Sequence, residues 1–143
     1  MIGRRDVIAA ALIVAAALAF LPGAAGNFQL DDVENLAPVQ RLLDGDVTWQ
    51  YTVFSNRSGL LGRPVAMASF ALNAWATGLA VTPFRLVNIA LHALCGLLLW
   101  RVTARILRED SSLAAARAWL APALAIAWVL LPLLLYAAWF AVA

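Results

Sequence analysis

Apolar residues along this chain gather into long runs without a charge. Val7 to Leu30 holds 24 such residues, Pro64 to Phe84 holds 21 and Ala118 to Ala143 holds 26. A helix needs about 20 to cross a bilayer. A fourth stretch, Phe84 to Leu107, is apolar with its arginines near its ends. Between the runs lie an acidic segment that follows the first of them and a short charged connection, "RILREDSSLAAARAW", before the last. The pattern predicts an all-α integral membrane chain without a separate soluble domain. The polar part, Gly26 to Arg63, is shorter than the ~40 residues below which a domain rarely builds its own core.

Composition agrees. Hydrophobic residues are 64% of the 143, charged residues 13%, and mean hydropathy is +0.86, far from the roughly 45–50% apolar and ~25% charged of a soluble domain. All ten basic residues are arginine, which together with the heavy use of alanine points to a GC-rich, bacterial gene. The formal charge is +2 and the pI about 9.3. The arginines are scattered along the flanks of the apolar runs and form no patch that a phosphate backbone would need, so a nucleic-acid partner is excluded. The single cysteine, Cys95, leaves no internal disulfide and no cysteine-cluster metal site. In an apolar helix it is expected as a packed thiol.

The arginines also set an orientation, because cytoplasmic flanks collect them. Arg4 and Arg5 precede the first run; the segment Asn27 to Arg63 is net acidic; Arg101, Arg105, Arg108 and Arg117 surround the later connection. The N-terminus and residues 108–118 are therefore expected inside and the acidic loop outside. If Pro64 to Phe84 crossed as well, those arginines would fall on the wrong side. That segment is accordingly expected as a helix lying at the outer interface. Three spans follow, about 7–25, 84–107 and 119–143, with an outer loop 26–83 and an inner loop 108–118. The first segment has a second reading: "RRDVIAAALIVAAALAFLPGAAGN" also has the basic start, apolar stretch and small residues of a cleavable signal peptide, with Gly23 and Ala25 suited to a cleavage site.

Candidate chemistry concentrates around the outer loop. Asp31 and Asp32 in "NFQLDDVENL" either end the first span at the water boundary or place one carboxylate above the membrane as a base or a contact for a divalent cation. Arg85, Asn88 and His92 are spaced to share one face of the helix in "PFRLVNIALHALCGLLLW". They serve either helix–helix hydrogen bonding with an interfacial arginine or a polar cavity. The tripeptide Asn56-Arg57-Ser58 matches a glycan acceptor, a match frequent by chance. Trp49 and Tyr51, and Trp100, Trp119 and Trp139 near span ends, are expected as interfacial aromatics.

Three blocks in order, "FQLDDVENL", "SGLLGRPVAMASFALNAW" and "PFRLVNIALHALCGLLLW", resemble the N-terminal part of the multispanning C-type glycosyltransferases. The likeness is to bacterial membrane proteins related to protein O-mannosyltransferases, many of which carry tetratricopeptide repeats. It covers about Val7 to Leu107. It implies a sugar transferase using a polyprenyl phosphate sugar donor in a bacterial inner membrane, with Asp31 and Asp32 as the catalytic acids of the first outer loop. It further implies that Arg63 meets the donor phosphate or anchors the loop, that Arg85, Asn88 and His92 line the cavity beneath, and that the first segment is a retained anchor. After the inner loop the likeness ends: the relatives carry His-Pro where this chain has Leu131-Pro132. The expectation is a fragment, a truncated gene or a degenerate relative, inactive alone and in need of another membrane polypeptide. The alternative is a small non-enzymatic interaction or assembly protein.

Overall fold

The computed structural model describes the backbone of residues 3–28, 32–57, 62–109 and 117–142, and the side chains of the same residues except 108–109, 117–118 and 134–142. All regular structure among them is helical: α1 Arg4–Leu18, a 3₁₀ turn Leu21–Ala24, α2 Asp32–Leu43, α3 Trp49–Phe54, α4 Pro64–Thr77, α5 Val81–Glu109 and α6 Arg117–Val142. The all-α expectation holds. Of the described helices, one stretch is long and apolar enough to cross a membrane, Val81–Leu107, with 27 residues and mean hydropathy 1.6. Within the described part of α6 the apolar stretch is Trp119–Leu133. The first segment departs most from the expected bounds. Its α-helix stops at Leu18, because Pro22, four residues on, has no amide for the Leu18 carbonyl and its ring crowds that oxygen, and the chain tightens into the 3₁₀ turn. The 15 residues of α1 rise about 22 Å, less than the ~30 Å of a bilayer's hydrocarbon.

The chain divides into two compact units, Met1–Pro22 with Val87–Ala143, and Gly23–Leu86. In the first, residues spaced by four meet: Ala9, Ile13 and Ala17 of α1, and Ala121, Ala125 and Val129 of α6, are all buried, together with Trp100 of α5. Small side chains at this spacing let helices approach closely, the packing mode that works without a hydrophobic drive in lipid. Gly96 marks the tightest point. A Cβ there would lie 2.5 Å from Val129 Cγ2 and 3.0 Å from Ile13 Cγ2. Trp100, expected as an interfacial aromatic, is instead 5% exposed and carries the Arg101 guanidinium 4.8 Å from its ring centroid. Cys95, expected as a packed thiol, is exposed. On an α-helix apolar all round, burial falls to whichever residues meet α1 and α6, and the sequence does not mark them.

In the second unit α2, α3 and α4 pack together. Leu36 and Val39 of α2 bury against Met67 and Ala74 of α4 and against Phe84, with Phe28 and Phe70 alongside. Phe28 meets Phe84 edge to face at 5.7 Å. Turns are set by their own chemistry. At the end of α2, Gly45 (φ 83°) takes the left-handed conformation, and the amides of Gly45 and Asp46 donate to Leu42 and Arg41 carbonyls, a Schellman termination. The Thr48 hydroxyl caps α3 by accepting from the Tyr51 amide at 3.2 Å. Pro64 opens α4, where its missing N–H costs nothing. Gly78 (φ 71°) ends α4, so the expected interfacial helix is 14 residues long and α5 begins at Val81 rather than Phe84.

Candidate functional site

Asp32 is the first residue of α2, exposed, with Glu34 two positions on. A helix N-terminus presents unpaired amides and a positive dipole end, so carboxylates there are favoured whatever else they do. Asp31 lies outside the described residues. Among the described residues no three His, Cys, Asp or Glu side chains converge as a metal site.

Arg85 stands in the second turn of α5 and is half-buried. Its Nη1 donates to the carbonyls of Gly23 (2.5 Å) and Ala25 (2.7 Å), and Nη2 donates to the carbonyl of Asn27 (2.9 Å). A guanidinium has five N–H donors in a planar fork, and three are spent on the chain's own backbone. Carbonyls of alternate residues thus form a cup around a fixed cation. Gly26 allows it: its φ is 127°, and a Cβ there would lie 3.2 Å from Arg85 Nη1. This cup ends five residues before Asp32.

Arg63 immediately precedes α4 and is exposed. Asn88 is also exposed. His92 belongs to the helix-packed unit. Its Nε2 lies 2.9 Å from the Val129 carbonyl of α6. Since a carbonyl only accepts, Nε2 carries the hydrogen. The ring sits between Trp128 (centroids 4.9 Å apart, tilted) and Phe20 (5.4 Å, edge-on). Pro132 lacks the amide that would donate to the Trp128 carbonyl four residues back, next to the Val129 carbonyl that His92 reaches. Of the six residues singled out from sequence, Arg85 and His92 are therefore engaged with main-chain carbonyls within their own units, while Asp32, Arg63 and Asn88 are exposed.

Further polar groups lie outside those six. The Asn56 amide donates to Asn35 Oδ1 at 2.8 Å and contacts Met67 Sδ at 3.7 Å. That is the nitrogen a glycan would need, although Ser58 of the tripeptide lies outside the described residues. Thr52, fully buried, has its hydroxyl 3.3 Å from the Pro38 carbonyl and 3.2 Å from that of Thr48. Tyr51, Phe54, Ser55 and Arg57 line an open cleft, and Arg41 lies 5.5 Å from the Tyr51 ring centroid. The four-residue spacing Thr48–Thr52 was a signal for the α3 cap and its back-bond; the Asn35–Asn56 pair had none. Comparison with family models, with curated proteins and with solved structures finds no match for this chain.

Proposed function

We propose that this chain is the N-terminal portion of a membrane glycosyltransferase that takes a sugar from a polyprenyl phosphate donor to an acceptor hydroxyl. The observation that carries this reading is the ordered set of three blocks: the acid pair Asp31-Asp32, then Gly62-Arg63-Pro64 with Ser69-Phe70, then Asn88 and His92. The site supports it in one respect. The segment Gly23 to Asn27, upstream of the acid pair in sequence, is fixed by Arg85, and order in the chain that carries a base favours a transfer reaction. A lipid-linked donor carries its phosphate at headgroup level, the height of a loop that directly follows a span. In this reading the chain is multi-pass in a bacterial inner membrane, with three spans, the N-terminus cytoplasmic and the loop 26–83 outside, and the first segment is kept. Cleavage after Ala25 would strip the Arg85 cup of two carbonyls and remove α1, whose Ala9, Ile13 and Ala17 fill the helix-packed core. Asp31 or Asp32 acts as base or cation contact, Arg63 faces the donor phosphate, and another membrane polypeptide completes the site. The test is transfer of polyprenyl-linked sugar in membranes expressing the whole locus: Asp32→Asn or Asp31→Asn abolishes it. Unchanged transfer in both variants sinks the reading.

A second reading is a non-enzymatic interaction or assembly protein of the membrane. Arg85 and His92 favour it, since both spend their donors on the chain's own backbone. It requires a complex with another membrane protein that survives Asp31→Asn and Asp32→Asn.

A further inference from the structure

The lining role expected for Arg85 leaves out what its guanidinium does in the fold. Five consecutive residues, Gly23 to Asn27, offer three carbonyls to it, and the link closes 58 to 62 residues of sequence. Charge-assisted bonds of this kind are roughly twice as strong as neutral ones. Planar fork geometry is what distinguishes arginine here, because a lysine ammonium is a single point of charge on a flexible stem. Gly26 is part of the same device. Its positive φ is needed to turn the Ala25 and Asn27 carbonyls onto one cation, and a side chain at 26 would press on Nη1. In sequence, the segment so fixed ends four residues before Asp31.

We propose that Arg85 is a positioning residue: it holds the strand of chain entering the acid motif in a carbonyl cup and does not contact the sugar donor. This rests on the transferase reading for its catalytic consequence, but the cup itself can be tested without it. Removing the fork frees residues 23–27, the segment from which the chain runs on to the acid motif. Misplacement by about 1 Å is enough to cost on the order of 100-fold in rate. A donor-phosphate contact would instead appear as weaker donor binding. An empty cup still presents three carbonyls, so free guanidinium ion can refill it.

The experiment uses the full chain in lipid nanodiscs, or the whole locus where activity is read. With Cys95 replaced by alanine, a spin label at Asn27→Cys reports the segment; Asn27 contributes only its carbonyl to Arg85, so the label leaves the contact in place. In Arg85→Ala the label becomes mobile and millimolar guanidinium chloride immobilises it again, whereas ammonium chloride does not. Arg85→Lys, the variant that keeps the charge if Arg85→Ala fails to fold, gives intermediate mobility. In transfer assays both variants lower kcat by roughly 10- to 100-fold with the donor KM unchanged, and guanidinium restores Arg85→Ala but not Asp32→Asn. A label equally ordered in the parent and in both variants overturns the cup. A raised donor KM with kcat intact overturns the positioning role in favour of donor contact. Loss of any transfer in the parent itself rejects the transferase reading, and the cup then stands or falls on the label alone.

Discussion

The helix-packed unit coheres through alanine, glycine and β-branched side chains at four-residue spacing, with His92 tied to the Val129 carbonyl. The unit Gly23–Leu86 has a small apolar core of its own, yet nearly every turn in it is fixed by a named hydrogen bond: Thr48 capping α3, Thr52 reaching Pro38, Asn56 on Asn35, Arg85 on three carbonyls. In the membrane reading proposed above, the difference follows from solvent. A unit whose outward side chains are leucines and valines gains little from polar contacts and relies on close fit. A unit of short helices, none of which would be stable alone, needs each end satisfied.

Substitutions should separate these two modes. The largest loss is expected from Met67→Ala, since Met67 is 1% exposed at the centre of the second unit's core; emptying such a site costs about 2–5 kcal/mol, read from thermal unfolding in nanodiscs. Ile13→Ala, equally buried in the first unit, should cost less in lipid than Met67→Ala, and an equal cost would break the comparison. Gly96→Leu comes next. Its side chain has no room beside Val129 and Ile13, and overpacking costs about 1–3 kcal/mol. Thr52→Val preserves shape but removes the buried hydroxyl that reaches the Pro38 carbonyl, for about 1 kcal/mol. His92→Phe keeps the ring between Phe20 and Trp128 and loses only the bond to Val129, a change of about 0.6–2 kcal/mol for interhelical bonds in membranes. If Thr52→Val proves the milder of these two, polar ties do not distinguish the units. The smallest effect belongs to Cys95→Ala, within about 0.5 kcal/mol for an exposed position. The same thiol sharpens the membrane assignment: a charged, impermeant maleimide should leave it unmodified in intact membranes and label it once detergent is added.

Long apolar stretches foretold α5 and α6, and the uncharged run that opens at Pro64 foretold where α4 begins, because apolar length and charge boundaries are written in residue types. The early end of α1 at Leu18 was less visible, since its signal, Pro22-Gly23, also reads as the approach to a cleavage site. Orientation within an apolar helix was not legible at all. Trp100 turned inward and Cys95 outward although their neighbours are equally apolar, and only the partner helices decide which face is covered. The candidate site divides in the same way. Arg85, Asn88 and His92 were found by spacing, but the partners of Arg85 and His92 are backbone carbonyls, which every residue possesses and no side chain announces. Asp32 was placed at a helix start that its own residue type favours.

Backbone carbonyls solvate a cation without cancelling it. Gly23, Ala25 and Asn27 offer dipoles to Arg85, not ions, so its full unit charge persists in the field of the unit that carries Asp32 and Glu34. An anion approaching this part of the chain meets that positive charge offset by the carboxylates of Asp32 and Glu34 on the same unit and by salt, whose screening acts over about 8 Å at physiological ionic strength.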